Sequence, residues 1–147
     1  MSSYLDPSVL LPTLIAEPAT EAVYDCLSAD SGELLISDFA AAEVASALSR
    51  LVRMALLTDA DASARLADFD AWRAAISSPV DIAESDARLA YIYARHFDLG
   101  LRAPDALHLA IARRLNATLV TLDRRLATAA RELGVAVEDP LHPQSRA

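Results

Sequence analysis

Thr118-Leu119-Val120-Thr121-Leu122-Asp123 is a β-favouring run that closes on a carboxylate, and Ser3-Tyr4-Leu5-Asp6 repeats the pattern near the start of the chain. Both runs are short and apolar, and each is followed at once by a segment with helical spacing, so each reads as a buried strand feeding a helix. Asp6 and Asp123 then stand at the carboxyl ends of two strands, the edge where open α/β sheets build their ligand sites. The two runs predict strands over 4–6 and 118–122, and further strand-like segments cover 33–37, 80–83 and 135–138. Helical periodicity fills the intervals at 7–16, 19–29, 38–56, 58–76, 84–97 and 104–115, and a last helix runs from 123 or 124 to a cap at Gly134. This alternation predicts an α/β fold, a parallel sheet covered by helices. In the third helix Val44, Leu48, Leu51, Val52 and Ala55 fall on one stripe expected to face the core. Pro12 predicts a distortion in the first helix, because it has no N–H to donate.

With 147 residues, 54% of them hydrophobic, and a mean hydropathy of +0.25, the chain can bury one core, which argues against disorder. Residues 1–139 read as a single domain and 140–147 as a flexible tail, since Pro140 and Pro143 interrupt a segment without periodicity. No apolar run reaches the roughly 18 residues of a membrane helix, and 8–16 lacks a basic leader, so a cytoplasmic location without membrane contact is expected. Cys26 is the single cysteine, so an internal disulfide cannot form, and His96, His108 and His142 show no zinc-type spacing. Any metal must therefore be held mainly by oxygen. All 13 basic residues are arginines, which removes the P-loop lysine, Schiff-base chemistry and receiver-type phosphorylation. Gly32, Gly100 and Gly134 are too scattered for a nucleotide-cradling loop. A net charge of −8 opposes nonspecific binding to polyanions, although a carboxylate metal site would account for part of it.

Four acids then carry the functional reading: Asp6, Glu43, Asp105 and Asp123. Asp6 before Pro7 is an ordinary helix start, Asp105 after Pro104 complements a helix dipole, and Asp123 can be a helix cap, so each has a sufficient local reason to exist. Glu43 lies inside Ala40-Ala41-Ala42-Glu43-Val44-Ala45, where capping cannot explain it; the competing account is a solvated face shared with Ala47 and Arg50. What shifts the balance is the joint arrangement of two strand-end aspartates, a helix-start aspartate and a mid-helix glutamate in one α/β domain. Carboxylates gathered that closely are tolerated only around a cation, which points to a metal-dependent phosphodiesterase.

The segments Tyr4-Leu5-Asp6-Pro7-Ser8, Ala42-Glu43-Val44-Ala45-Ser46-Ala47-Leu48, Pro104-Asp105-Ala106-Leu107-His108-Leu109-Ala110 and Thr121-Leu122-Asp123-Arg124-Arg125-Leu126 resemble, in order and spacing, the acidic motifs of PIN-domain nucleases. The resemblance is to the VapC toxins of toxin–antitoxin pairs in particular, and it covers nearly the whole chain. It implies a three-layer α/β/α fold with a five-stranded parallel sheet in the order 3-2-1-4-5, so that Asp6 and Asp123 flank the topological switch point. It also implies hydroxyls from Ser8 and Thr121 beside the acids, an RNA substrate, a cognate antitoxin and a homodimer. Arg124 and Arg125 make a more basic helix start than is usual in the family.

On this reading Mg²⁺ or Mn²⁺ is the cofactor, with Asp6, Asp105 and Asp123 as ligands and Glu43 as a ligand or the group that orients water. By the same resemblance the products are a 5′-phosphate and a 3′-hydroxyl. His108 reads first as a packed helix residue, Trp72, Tyr91, Tyr93 and Phe97 as packing residues, and Arg50, Arg53, Arg113 and Arg114 as solvated faces before a phosphate-contacting rim. Apolar surface near Leu10, Leu11 and Leu14 and on the 58–76 helix is expected to carry the partner contacts. Two alternatives stay open: a PIN-like interaction module without catalysis, and an aspartate-nucleophile phosphohydrolase of haloacid dehalogenase type. The latter group has a second Asp two residues after the first, where this chain has Ser8.

Overall fold

Tyr4-Leu5, Leu35-Ile36 and Leu119-Val120 are adjacent apolar pairs, and neighbours in an extended chain point to opposite sides of a sheet. Tyr4, Leu35 and Leu119 enter one core while Leu5, Ile36 and Val120 enter another. Burial on both faces is the environment of a parallel sheet. In the computed structural model, which describes residues 1–143, the elements run β1 (Ser3–Leu5), α1 (Pro7–Leu14), α2 (Thr20–Ala29), β2 (Leu34–Ser37), α3 (Asp38–Arg53), α4 (Asp59–Ile76), β3 (Pro79–Val80), α5 (Glu84–Ala94), α6 (Ala103–Arg114), β4 (Thr118–Val120), α7 (Arg124–Glu132) and β5 (Val137–Glu138). The strands pair in parallel in the order β3-β2-β1-β4-β5, as the resemblance implies. Helices α1 to α4 pack one face through Val9, Leu10, Val23, Val44 and Phe69, and α5 to α7 pack the other through Tyr93, Leu109, Ile111 and Leu126. The order of strand addition reverses between β1 and β4, which opens a crevice beyond their carboxyl ends.

Several boundaries differ from expectation for local reasons. Helix α3 stops at Arg53 rather than 56, because Ala55 takes a left-handed conformation (φ 56°) and the Leu56 and Ala55 amides donate to Leu51 and Val52. This is a Schellman closure with alanine where glycine is usual, and it moves Ala55 off the core stripe. Helix α7 closes the same way at Gly134, and there the Val135 amide is taken by Ala130, which shortens β5 to Val137–Glu138. Helix α1 continues past Pro12 to Leu14, and Thr20 Oγ1 donates to the Pro12 carbonyl. Strand β3 starts at Pro79 rather than 80, on the sheet edge where a proline costs no ladder bond. Helix α5 ends at Ala94, and a separate 3₁₀ turn follows at Phe97–Leu99.

A buried ion pair locks α5 to α6. Asp86 is 1% exposed and meets Arg114 twice, Nε to Oδ1 at 2.7 Å and Nη2 to Oδ2 at 2.9 Å, while the Ala83 amide donates to Oδ2 at 2.8 Å. Arg114 is therefore structural rather than a solvated face. Arg113 likewise donates to the Leu133 and Gly134 carbonyls. Of the aromatic residues read as packing, Tyr93 is buried and Trp72 half-buried, but Tyr91 is 66% and Phe97 89% exposed. Asp139 and Pro140 are buried, and Asp139 accepts from the Leu141 amide and meets His142 Nδ1 at 3.0 Å. Residues 144–147 of the expected tail lie outside the described residues.

Candidate functional site

Asp6 leaves β1 and becomes the N-cap of α1, with Pro7 at the first helical position. It is both strand-end and cap. Its buried Oδ2 accepts from the Ser8 amide (3.2 Å), the Ser8 hydroxyl (2.5 Å) and the Thr121 hydroxyl (2.9 Å). Ser8 Oγ in turn accepts from the Leu122 amide at 2.9 Å, and Thr121 Oγ1 from the Asp123 amide at 3.0 Å. These two hydroxyls thus tie the ends of β1 and β4 together around a single carboxylate oxygen. Burial pushes the Asp6 pKa up, against the pull of His108 and the hydroxyl donors.

Glu43, one turn into α3, is not on a free solvated face. Its carboxylate is hydrogen-bonded to Nε2 of the buried His108, and its side chain is 31% exposed. Nε2 also lies 3.9 Å from Asp6 Oδ1, so this imidazole touches acids from two different elements. The opposite nitrogen, Nδ1, is 2.8 Å from the Tyr4 hydroxyl, which is 2.7 Å from Ser37 Oγ. A carboxylate only accepts, so Nε2–H donates to Glu43; with a neutral imidazole, Nδ1 then accepts from the Tyr4 O–H and Tyr4 accepts from the Ser37 O–H. Phe39 and Tyr4 flank the ring at centroid distances of 5.2 and 5.8 Å. His108 is packed, as expected, and in addition holds a polar chain running from β2 through β1 to α3.

Asp105 sits in the first turn of α6, nearly buried, and accepts from Arg102 Nε at 3.2 Å. Asp123 caps α7, its Oδ1 accepting from the Arg125 and Leu126 amides at 2.9 and 3.1 Å. The Arg102 guanidinium is held firmly protonated first by its hydrogen bond to Asp105, then by the charge of Asp105, with Asp123 and Glu43 adding to the same field. The structure thus brings Asp6 and Glu43 to one histidine and Asp105 to one arginine, whose charge Asp123 and Glu43 also stabilise. It does not place three of them in a ready coordination set: among the described residues no group of three His, Cys, Asp or Glu side chains is spaced to hold a metal ion. Like charges at this spacing repel, and here each is met by an imidazole, a guanidinium or a helix N-terminus instead.

The donor types nevertheless fit a hard divalent cation, since carboxylate and hydroxyl oxygens line the crevice and no thiolate does. Asp6, buried and biased toward its neutral form, has the most to gain from a cation. Tyr4, Ser37 and Arg102 were not singled out by the sequence. The spacing of Asp105 and His108, three apart on one helix, was the one available signal that the histidine faces the site.

The fold and the crevice together define an open α/β/α domain with an acidic site at its switch point. The PIN domain family model matches residues 3–132, and the chain belongs to that family. Ribonuclease VapC46 of Mycobacterium tuberculosis is 33% identical over 140 residues, covering 93% of this chain and 96% of that protein. Among solved structures, VapBC2 from Rickettsia felis, bound to a DNA fragment from its promoter, superposes with a TM-score of 0.71 at 17% identity, covering 95% of this chain and 98% of that one. The sarcin–ricin-loop-cleaving toxin VapC20 of Mycobacterium tuberculosis gives 0.69 at 14% identity, covering 86% and 94%.

Proposed function

We propose that this protein is a metal-dependent endoribonuclease, the toxin of a toxin–antitoxin pair, which hydrolyses RNA phosphodiesters at the crevice beyond β1 and β4. The observation that carries the reading is the buried Asp6 carboxylate, fixed by Ser8 and Thr121 and sharing His108 with Glu43. The 33% identity to a ribonuclease over almost the whole chain supports the same class. Asp6, Asp105, Asp123 and Glu43 would hold Mg²⁺ or Mn²⁺, and such an ion, when bound, supplies polarisation of the phosphoryl oxygen and a more acidic water. The chain's own groups do the rest. Ser8 and Thr121 fix Oδ2 of Asp6 and leave Oδ1, 3.9 Å from His108 Nε2, outside those bonds, while the His108 hydrogen bond fixes Glu43, which would orient the attacking water. Water adds to phosphorus and the 3′-oxygen leaves with a proton, giving a 5′-phosphate and a 3′-hydroxyl.

The interaction-module reading draws on the fact that each acid already has a partner within the chain. One experiment separates the two. Purified protein and its Asp6→Asn form are incubated with single-stranded RNA in Mg²⁺, Mn²⁺ or EDTA, and new 5′ ends are mapped. Cleavage that needs the ion and vanishes in Asp6→Asn supports the nuclease. Cutting by Asp6→Asn at the parent's rate, or none by the parent in either ion, rejects it.

For the antitoxin, the supporting surface is a cleft of about 290 Å³ between α1, α2 and α4, lined by Leu14, Tyr24, Arg65, Phe69 and Trp72. Leu10, expected on that surface, is fully buried because it packs against the sheet, whereas Leu11 and Leu14 are half-buried. Self-association is supported by the exposed Tyr91, Ile92 and Phe97 at the end of α5 and in the turn beyond it. No helix among the described residues is long and apolar enough to cross a membrane, and an RNA-cutting toxin is assigned to the cytoplasm on the same reading.

A further inference from the structure

A groove of about 790 Å³ runs away from the acidic crevice along α3, bounded by the end of α1 and by Arg102 ahead of α6. Glu43 belongs to both the groove and the site, so the two are continuous. Glu43, Ala47, Arg50 and Met54 recur at i, i+4, i+7 and i+11, one stripe of the helix surface spanning roughly 16 Å. Arg50 and Arg53 line this groove without a carboxylate partner: among the described residues the Arg50 side chain makes no hydrogen bond, and the Arg53 side chain donates only to the Ser49 hydroxyl. Arg73, Arg88, Arg102 and Arg114 are each committed to a carboxylate, whereas these two guanidinium groups on the groove wall are not. In a chain of net charge −8, the groove lining sets Arg50, Arg53 and Arg102 against Glu17 and Glu43, so it is locally positive and attracts phosphate where the overall field opposes it.

We infer that this groove is the track of the substrate strand, with Arg50 and Arg53 holding backbone phosphates on one side of the scissile bond and Leu11, Ile15 and Leu51 forming an aliphatic floor for bases. The inference rests on the nuclease reading for the direction of the strand, which leads to the acids. The occupant is single-stranded RNA. A duplex keeps its bases stacked inside and cannot lay them on an apolar floor, and guanidinium contacts to phosphate carry no sequence information. Among the described residues no aromatic side chain lines the groove, so binding is expected to be tolerant of base identity along it.

The test measures binding apart from cleavage. In an Asp6→Asn background, fluorescence anisotropy with 5′-labelled single-stranded RNA, a matched duplex and a salt series gives the slope of log affinity against log salt. Arg50→Gln and Arg53→Gln are each expected to flatten that slope by roughly 0.7, the value for one single-strand phosphate contact. Arg88→Gln, on α5 and paired with Glu84, is expected to leave it unchanged. With Asp6 intact, the Arg50 and Arg53 variants raise KM and leave kcat near the parent value.

Slopes unchanged by both variants overturn the groove, even if the parent cleaves RNA. Equal affinity for the duplex overturns the single-strand assignment. If the variants instead abolish a dimer seen by sedimentation and leave RNA binding alone, the groove is a protein interface and the inference fails. A parent that cleaves nothing, with slopes that still respond to Arg50 and Arg53, removes the nuclease reading and leaves the groove standing. Circular dichroism confirms that each variant is folded.

Discussion

Replacing Tyr4 with Phe removes one oxygen from a ring that is fully buried, and that oxygen is the middle link between Ser37 and His108. Ser37 keeps its bond from the Ala40 amide, but His108 Nδ1 is left as an acceptor without a donor in a dry interior. An unsatisfied buried acceptor costs about 1–3 kcal/mol. For 147 residues the unfolding entropy is about 0.3 kcal/mol/K near the midpoint, so Tm is expected to fall by about 3–10 °C in calorimetry. A purely structural hydroxyl would stop there. If Tyr4 also sets the tautomer that lets Nε2 donate to Glu43, the imidazole ¹⁵N shifts of His108 change and kcat falls with KM retained. A Tm within about 1 °C of the parent, with unchanged ¹⁵N shifts, would refute the polar chain.

Three other perturbations follow from the same geometry. Asp6 is more easily protonated folded than unfolded, so its stability contribution is intact below the ordinary carboxylate range and is lost as pH rises through the folded-state value. Asp6→Asn is therefore expected to gain stability over the parent as pH rises in thermal melts, with Mg²⁺ narrowing the gap; a gap that shrinks with rising pH contradicts this. Ala55→Gly relieves a left-handed φ of 56° and is expected to add about 1 kcal/mol, seen as a higher urea midpoint with unchanged slope. Arg114→Met strands the buried Asp86 carboxylate and is expected to cost about 3 kcal/mol, the low end for a broken buried pair because the guanidinium is 33% exposed. Its rescue by Asp86→Asn in the double variant, measured by denaturant unfolding, checks that the cost is an unpaired charge.

Whatever depends on near neighbours was legible from the residues. The adjacent apolar pairs, the N-cap positions of Asp6 and Asp123, the Gly134 stop and the buried Val44 and Leu48 all follow from rules that act over a few residues, and they led to the parallel α/β order. The resemblance supplied the order of strands that puts Asp6 beside Thr121. Contacts that depend on a distant partner were not legible. Glu43 meets His108 across 65 residues, Arg114 meets Asp86 across 28, and Ala55 accepts a glycine's conformation because the α3 terminus demands it. Periodicity and capping are local energies and leave their mark in composition. Which carboxylate finds an imidazole, which finds a guanidinium and which arginine stays unpaired beside a groove are settled only when the sheet order brings remote elements within hydrogen-bond reach, where desolvation makes each pairing decisive.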